Sequence, residues 1–271
     1  MKKLSVFLAL LALFFTDLAL AAGAVVTSTT GTVSVQTGQA ALRTLRTGDQ
    51  VAQGDTVITG ANSATVLKFD DGQVVALTAN SRMQVTNYQY NPQTESGNVL
   101  LSLVSGGMRA ITGLIGRRAP SQVAYRAATA TIGIRGTDVT IATSEGNVVV
   151  TVTNGVISFT FQGQTLTINA GQAVLARPGQ GAVTGTAAQV IAQASQAMQN
   201  VANAVLLAAN SPNSPLNTAI NNAAPGQPSQ GQQGQQGEQG NQNNQGQQGQ
   251  NGPGQSGPPG GGSGGGGASG S

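Results

Sequence analysis

The chain has 271 residues, of which 39 are glycine and only 8% are charged, with a formal net charge of +3. It contains neither cysteine nor histidine, which excludes disulfides, thiolate chemistry, the usual general base and the commonest transition-metal ligands. Aromatic residues make up 3% with no tryptophan, and the basic residues are few, so nothing suggests a stacking platform or the dense basic face that nucleic acid requires.

Residues 1–21 read as an export signal. Lys2 and Lys3 form a positive start, Leu4 to Phe15 is an apolar run of signal length, and Ala19-Leu20-Ala21 supplies small residues for cleavage after Ala21. The run is interrupted by Thr16-Asp17 and is shorter than a spanning helix needs. The expected mature chain is extracytoplasmic, periplasmic or secreted to the cell surface, with a net charge of +2 once Lys2, Lys3 and Asp17 are gone.

Residues 24–180 alternate apolar and polar side chains in short runs separated by Gly, Asn and Asp, which predicts many short strands. Gly48-Asp49 and Gly54-Asp55 read as a coil-like rise or as two ordinary turns. Asp70-Asp71-Gly72 separates Thr65–Phe69 from Val74–Leu77 and predicts a hairpin. Met83 and Val85 share one parity while Tyr88 and Tyr90 take the other, so that strand either bulges or exposes its tyrosines. Asn154-Gly155, between Val152 and Val156, predicts a second, two-residue hairpin. With no helix between them, such strands bury their faces as a sandwich, a barrel or a wound solenoid.

Residues 186–210 change period. Ile191, Ala194, Met198, Val201 and Val205 fall on one face of a single amphipathic helix, stopped by Asn210-Ser211-Pro212. That stripe would cover open strand edges, or bind a partner or a second copy. Residues 211–271 are a low-complexity tail. From Pro225 onward it holds almost only Gly, Gln, Asn, Ser and Pro, with Glu238 the sole charge, and is expected to be disordered. Glycines every third residue from Gly231 raise a collagen-like alternative, but one break in phase and Gln at the intervening positions favour a polar linker.

Gly48-Asp49, Gly54-Asp55-Thr56-Val57, Ala64–Phe69 with Asp71-Gly72, Thr129–Asp138 with its Arg135-Gly136-Thr137, and Ala170-Gly171-Gln172 together resemble the FecR domain, in order, over residues 31–176. The resemblance implies an all-β, non-catalytic FecR module, built as a short-strand solenoid or sandwich. In the family's membrane sensors this module links an outer-membrane transporter to a sigma factor. The present chain lacks the internal spanning run of those sensors, so an exported, stand-alone module is expected.

Arg109, Arg117, Arg118, Arg126 and Arg135 fall in a stretch free of acidic residues from Glu95 to Asp138. Arginine forks pair with two oxygens, so these five are the candidate patch for an envelope protein or an anionic polymer. Arg135 is also expected to pair locally with Asp138. The carboxylates Asp49, Asp55, Asp70 and Asp71 sit beside turn glycines, where aspartate caps backbone rather than performing catalysis. No enzyme activity, metal or cofactor is expected. The competing reading is a structural or adhesive surface protein that self-associates through its tail.

Overall fold

The computed structural model describes residues 23–211 together with Ser214, Asn217, Thr218, Ile220 and Asn221. The expected signal with its Ala21 cleavage site, and the tail beyond Pro225 with its collagen-like phase, lie outside these residues. Fifteen strands pair into one network: β1 (Gly23–Thr30), β2 (Val33–Thr37), β3 (Arg43–Thr44), β4 (Gln50–Ala52), β5 (Asp55–Thr59), β6 (Ala64–Phe69), β7 (Val74–Leu77), β8 (Arg82–Asn91), β9 (Ser96–Ile111), β10 (Val123–Ala127), β11 (Ala130–Ser144), β12 (Asn147–Phe161), β13 (Gln164–Asn169), β14 (Ala173–Arg177) and β15 (Gly181–Gly185). The pairs are antiparallel except β9 with β10.

The registers divide this network into two layers. One runs β15-β14-β12-β11-β9-β7-β6-β1-β4, using Val148–Thr151 of β12, Asp138–Thr143 of β11 and Gly106–Ile111 of β9. The other runs β13-β12-β11-β10-β9-β8-β5-β2-β3, using the opposite halves of the same three long strands. Strands β9, β11 and β12 therefore turn a corner from one sheet into the other, as sandwiches with shared strands do. Between the layers lies one apolar core that includes Phe69, Met108 and Val150 from the first sheet and Met83, Leu101, Tyr125 and Phe159 from the second.

The corners need backbone that ordinary strands do not adopt. Gly106 (φ 86°) and Gly155 (φ 80°) sit at two of them, and a Cβ on Gly155 would lie 2.3 Å from the Gly136 carbonyl oxygen of the neighbouring strand. The hairpin expected at Asn154-Gly155 is thus corrected. Val152 and Val156 both continue pairing with β11, opposite Val139 and Arg135, so the positive φ that favours a tight turn is used for a bend. The tight turns fall at Glu145-Gly146 and Gln162-Gly163, where both residues have positive φ. The Asp70-Asp71-Gly72 hairpin forms as expected. In β8 the strand bulges between Val85 and Asn87, which turns Tyr88 into the core. Gly48 and Gly54 stand in ordinary turns at positive φ, and Asp55, which opens β5, closes the second by accepting from the N–H of Ala52 at 2.9 Å.

Helix α1 (Leu114–Arg118) and a 3-10 turn (Pro120–Gln122) connect β9 to β10, with Ile115 buried in the common core. The single helix expected over 186–210 is two: α2 (Ala187–Ala192) and α3 (Gln196–Asn210). Ser195 interrupts the period because its hydroxyl accepts from the N–H of Met198 and starts a new helix, while Arg177 donates to the Gln193 carbonyl at 2.7 Å and satisfies the end of the old one. Both helices lie on the outer face of the first sheet, packing Val190, Ile191, Met198 and Ala202 on Ala142, Val149, Ala173 and Leu175. The stripe covers a sheet face rather than strand edges.

Replacing Gly155 with alanine forces a side chain into left-handed backbone and against a carbonyl. Gly155→Ala is expected to lower stability by about 1–3 kcal/mol, read as a fall in the urea midpoint with unchanged slope.

Candidate functional site

Alternation along the strands leaves the second sheet with one face in the core and one in solvent. On the outer face, cross-strand neighbours form a continuous polar row: Gln36, Thr56, Gln84, Ser102, Arg126, Thr131, Thr160 and Thr165. Eight strands at the usual spacing give a row about 34 Å long. The Thr160 and Thr165 hydroxyls bond each other at 2.9 Å, and those of Thr86 and Ser102 at 2.8 Å. Arg126 and Arg135 project from this face into solvent, and Arg82 lies half-buried on it, donating to Gln36 Oε1 at 3.1 Å. No carboxylate stands on this face among the described residues, since the acidic side chains lie in turns, at the strand edge or on the first sheet.

The five arginines expected to act together are distributed over three places. Arg126 and Arg135 share the outer face just described. Arg117 and Arg118 lie on α1, where Arg117 donates to the Thr112 carbonyl at 3.1 Å and Arg118 forms an exposed ion pair with Glu95. Arg109 is mostly buried on the opposite side of the molecule, on the outer face of the first sheet. Its Nε and Nη2 grip the two Asp138 oxygens at 2.9 and 2.6 Å. Its Nη1 reaches the Ala209 carbonyl at 3.3 Å and Asn217 Oδ1 at 3.0 Å. This fork fastens the last turn of α3 to the sheet, and a cation is favourable at that helix end. The expected Arg135–Asp138 pair is therefore corrected: the β11 corner turns the two side chains apart, and Asp138 belongs to Arg109.

A second polar cluster sits inside the molecule, where the β6–β7 hairpin, β8 and α1 meet. The Asp71 carboxylate accepts from the N–H groups of Gln73 at 3.1 Å and Ile115 at 3.4 Å and from the Tyr88 hydroxyl at 3.4 Å. The Asp71 N–H in turn donates to the Tyr88 oxygen at 3.0 Å, and the Tyr125 hydroxyl donates to Gln73 Oε1 at 3.0 Å. Burial raises the Asp71 carboxyl above its ordinary value of 3.8; its hydrogen bonds and the Arg117 charge oppose the rise. Burial likewise pushes the Tyr88 and Tyr125 hydroxyls up, with the Asp71 charge adding to it, so both stay protonated. Asp70 accepts from the Gly23 N–H at 2.8 Å. Both carboxylates of the Asp-Asp-Gly turn are thus committed to backbone donors. No group of three or more metal-ligating side chains gathers among the described residues.

Sequence reasoning missed Arg82 and the Ser/Thr/Gln row. The period-two hydroxyls Ser158 and Thr160 of β12 and Thr165 and Thr167 of β13 carried part of the signal, but the pairing that aligns them across strands is not local.

The fold is a mostly β module of two sheets with one broad polar face. Residues 55–158 match the model of the FecR protein family, and the chain carries a FecR domain over that span, from β5 through most of β12. Members of this family are generally non-catalytic. Two crystal structures of a candidate anti-sigma factor from Parabacteroides distasonis ATCC 8503, at 1.65 and 2.50 Å resolution, are similar to the chain with TM-scores of 0.40 and 0.41 and identities of 12% and 13%. Each match covers 48% of this chain and 59% of that one, so the chain spans about three-fifths of the length of those structures. No curated protein matches the sequence. No helix among the described residues is long and apolar enough to cross a membrane.

Two outcomes test these clusters. Arg109→Ala leaves Asp138 unpaired and frees α3, with an expected loss of ~2–3 kcal/mol, below that of a fully buried pair because both groups keep some water. The Asp71 carboxyl holds its proton to higher pH folded than unfolded, so its contribution to stability is present below 3.8 and is lost as pH rises through the raised folded value. Denaturant titrations over about pH 3 to 7 should show this decline in the wild type and its flattening in Asp71→Asn.

Proposed function

We propose that the mature chain is an exported, non-catalytic FecR-type binding module. It acts in the periplasm or at the cell surface and engages an envelope partner protein through the outer face of its second sheet. The observation that carries this reading is the carboxylate-free polar row, about 34 Å long, with Arg126 and Arg135 exposed on the same face. Arginine forks suit carboxylate or phosphate groups, and flanking hydroxyls and amides donate and accept without fixing one geometry. An acidic protein surface fits this face, and an anionic envelope polymer offers the same chemistry. The low-complexity tail then serves as spacer or tether rather than as the binding element.

Cross-linking and co-purification of the full chain from intact envelopes tests this. Arg126→Ala combined with Arg135→Ala should weaken capture by roughly tenfold or more and reduce its salt dependence, without lowering the thermal midpoint. Deletion of residues 225–271 should leave capture intact. Binding that survives the arginine changes but disappears with the tail would replace this reading with the adhesive one.

A further inference from the structure

Strand β13 ends the second sheet, and its outer edge is unlike the other edges of the fold. Edge strands offer unpaired N–H and C=O groups and are normally shortened, charged, bulged or covered. Strand β3 has two residues and carries Arg43, β4 has three, and β15 begins and ends in glycine beside α2. Strand β13 has six residues, Gln-Thr-Leu-Thr-Ile-Asn, with no charge, no proline and an unbroken register against β12.

The hairpin geometry says which backbone groups face outward. Gln162-Gly163 is a two-residue turn, so the closing pair Phe161 and Gln164 is hydrogen-bonded, as are Leu166 and Ile168 with their partners on β12. Thr165, Thr167 and Asn169 then aim their N–H and C=O groups away from β12. Asn169 confirms the alternation: its N–H donates to Gln172 Oε1 at 2.9 Å and its C=O accepts from the Gln172 N–H at 3.0 Å. That position is closed. The outward groups of Thr165 and Thr167 have no partner among the described residues, and they are symmetric about Leu166.

We propose that β13 is a self-docking strand, through which two copies of this chain pair antiparallel about a two-fold axis at Leu166. In this register Thr165 of one copy and Thr167 of the other exchange both hydrogen bonds, twice over, so all four free donors and acceptors of each edge are used. Leu166, half-buried against the core, meets its symmetry mate on the inner face. The threonines form cross-strand pairs on the outer face, and no like charges oppose each other. Moving the axis to Thr167 would call on Asn169, whose groups Gln172 already holds. The paired sheets continue the polar row from one copy into the next, doubling the face that carries Arg126 and Arg135. A single strand pair lies well below the ~1,200 Å² of a standard interface, so the dimer is weak and concentration-dependent.

Sedimentation of the full chain over a concentration series, with site-resolved amide exchange, tests the proposal. The wild type should shift toward dimer mass as concentration rises. The Thr165 and Thr167 amides should exchange more slowly at high concentration, whereas Gln164, Leu166 and Ile168 are protected at every concentration. Thr167→Pro removes an outward N–H that the β12 ladder does not use, and Thr165→Lys puts a charge on the edge. Each should raise the dissociation constant at least tenfold while leaving the thermal midpoint within a few degrees. A wild type that stays monomeric through the millimolar range overturns the proposal, as does association of equal strength in both variants.

Discussion

Three strands that belong to two sheets at once hold this molecule together. Because β9, β11 and β12 cross from one layer to the other, the layers cannot slide or separate without rebending these strands and breaking their ladder hydrogen bonds. The cost is concentrated at the corners, where glycines at positive φ bend the backbone and the ladder skips residues. Everything outside the FecR span leans on this frame: β1 to β4 extend it on one side, β13 to β15 on the other, and the helices cover one of its outer faces.

Two polar locks secure what the apolar core does not. Asp71 joins the first sheet's hairpin to Tyr88 of the second sheet and to the start of α1, so one carboxylate satisfies donors from three elements. Its burial carries an electrostatic penalty, visible in its raised protonation, which the converging donors partly offset. Arg109 does the corresponding work on the far side, tying the Ala209 carbonyl in the last turn of α3 to Asp138 of β11. The two outer faces consequently differ. The first sheet's is apolar where the helices pack on it, with the Arg109–Asp138 pair beside them; the second sheet's is polar and open, with Arg126 and Arg135 in solvent beside aligned hydroxyls.

Much of this was legible beforehand. Period-two alternation announced strands, the Asp-Asp-Gly turn placed a hairpin, and the change of parity between Val85 and Tyr88 marked a place where the strand bulges or exposes its tyrosines, because each depends on residues a few positions apart. The FecR resemblance over 31–176 encloses the matched 55–158. The arginines were harder. Five lie within 27 positions, yet a chain that crosses between sheets delivers them to opposite faces, and nearness in sequence says nothing about which face a residue reaches.

The amino-acid sequence by itself determined the all-β class, the turn chemistry of its aspartates and the absence of cysteine and histidine chemistry. These follow from composition and from interactions within a turn of chain. Only the tertiary structure decided that Asn154-Gly155 bends a strand instead of reversing it, that Asp138 answers Arg109 rather than Arg135, and that Ser195 divides one apolar stripe between two helices. In each case the local preference was satisfied, a positive φ, a paired carboxylate or a capped helix, but the choice of partner rested with strands remote in sequence.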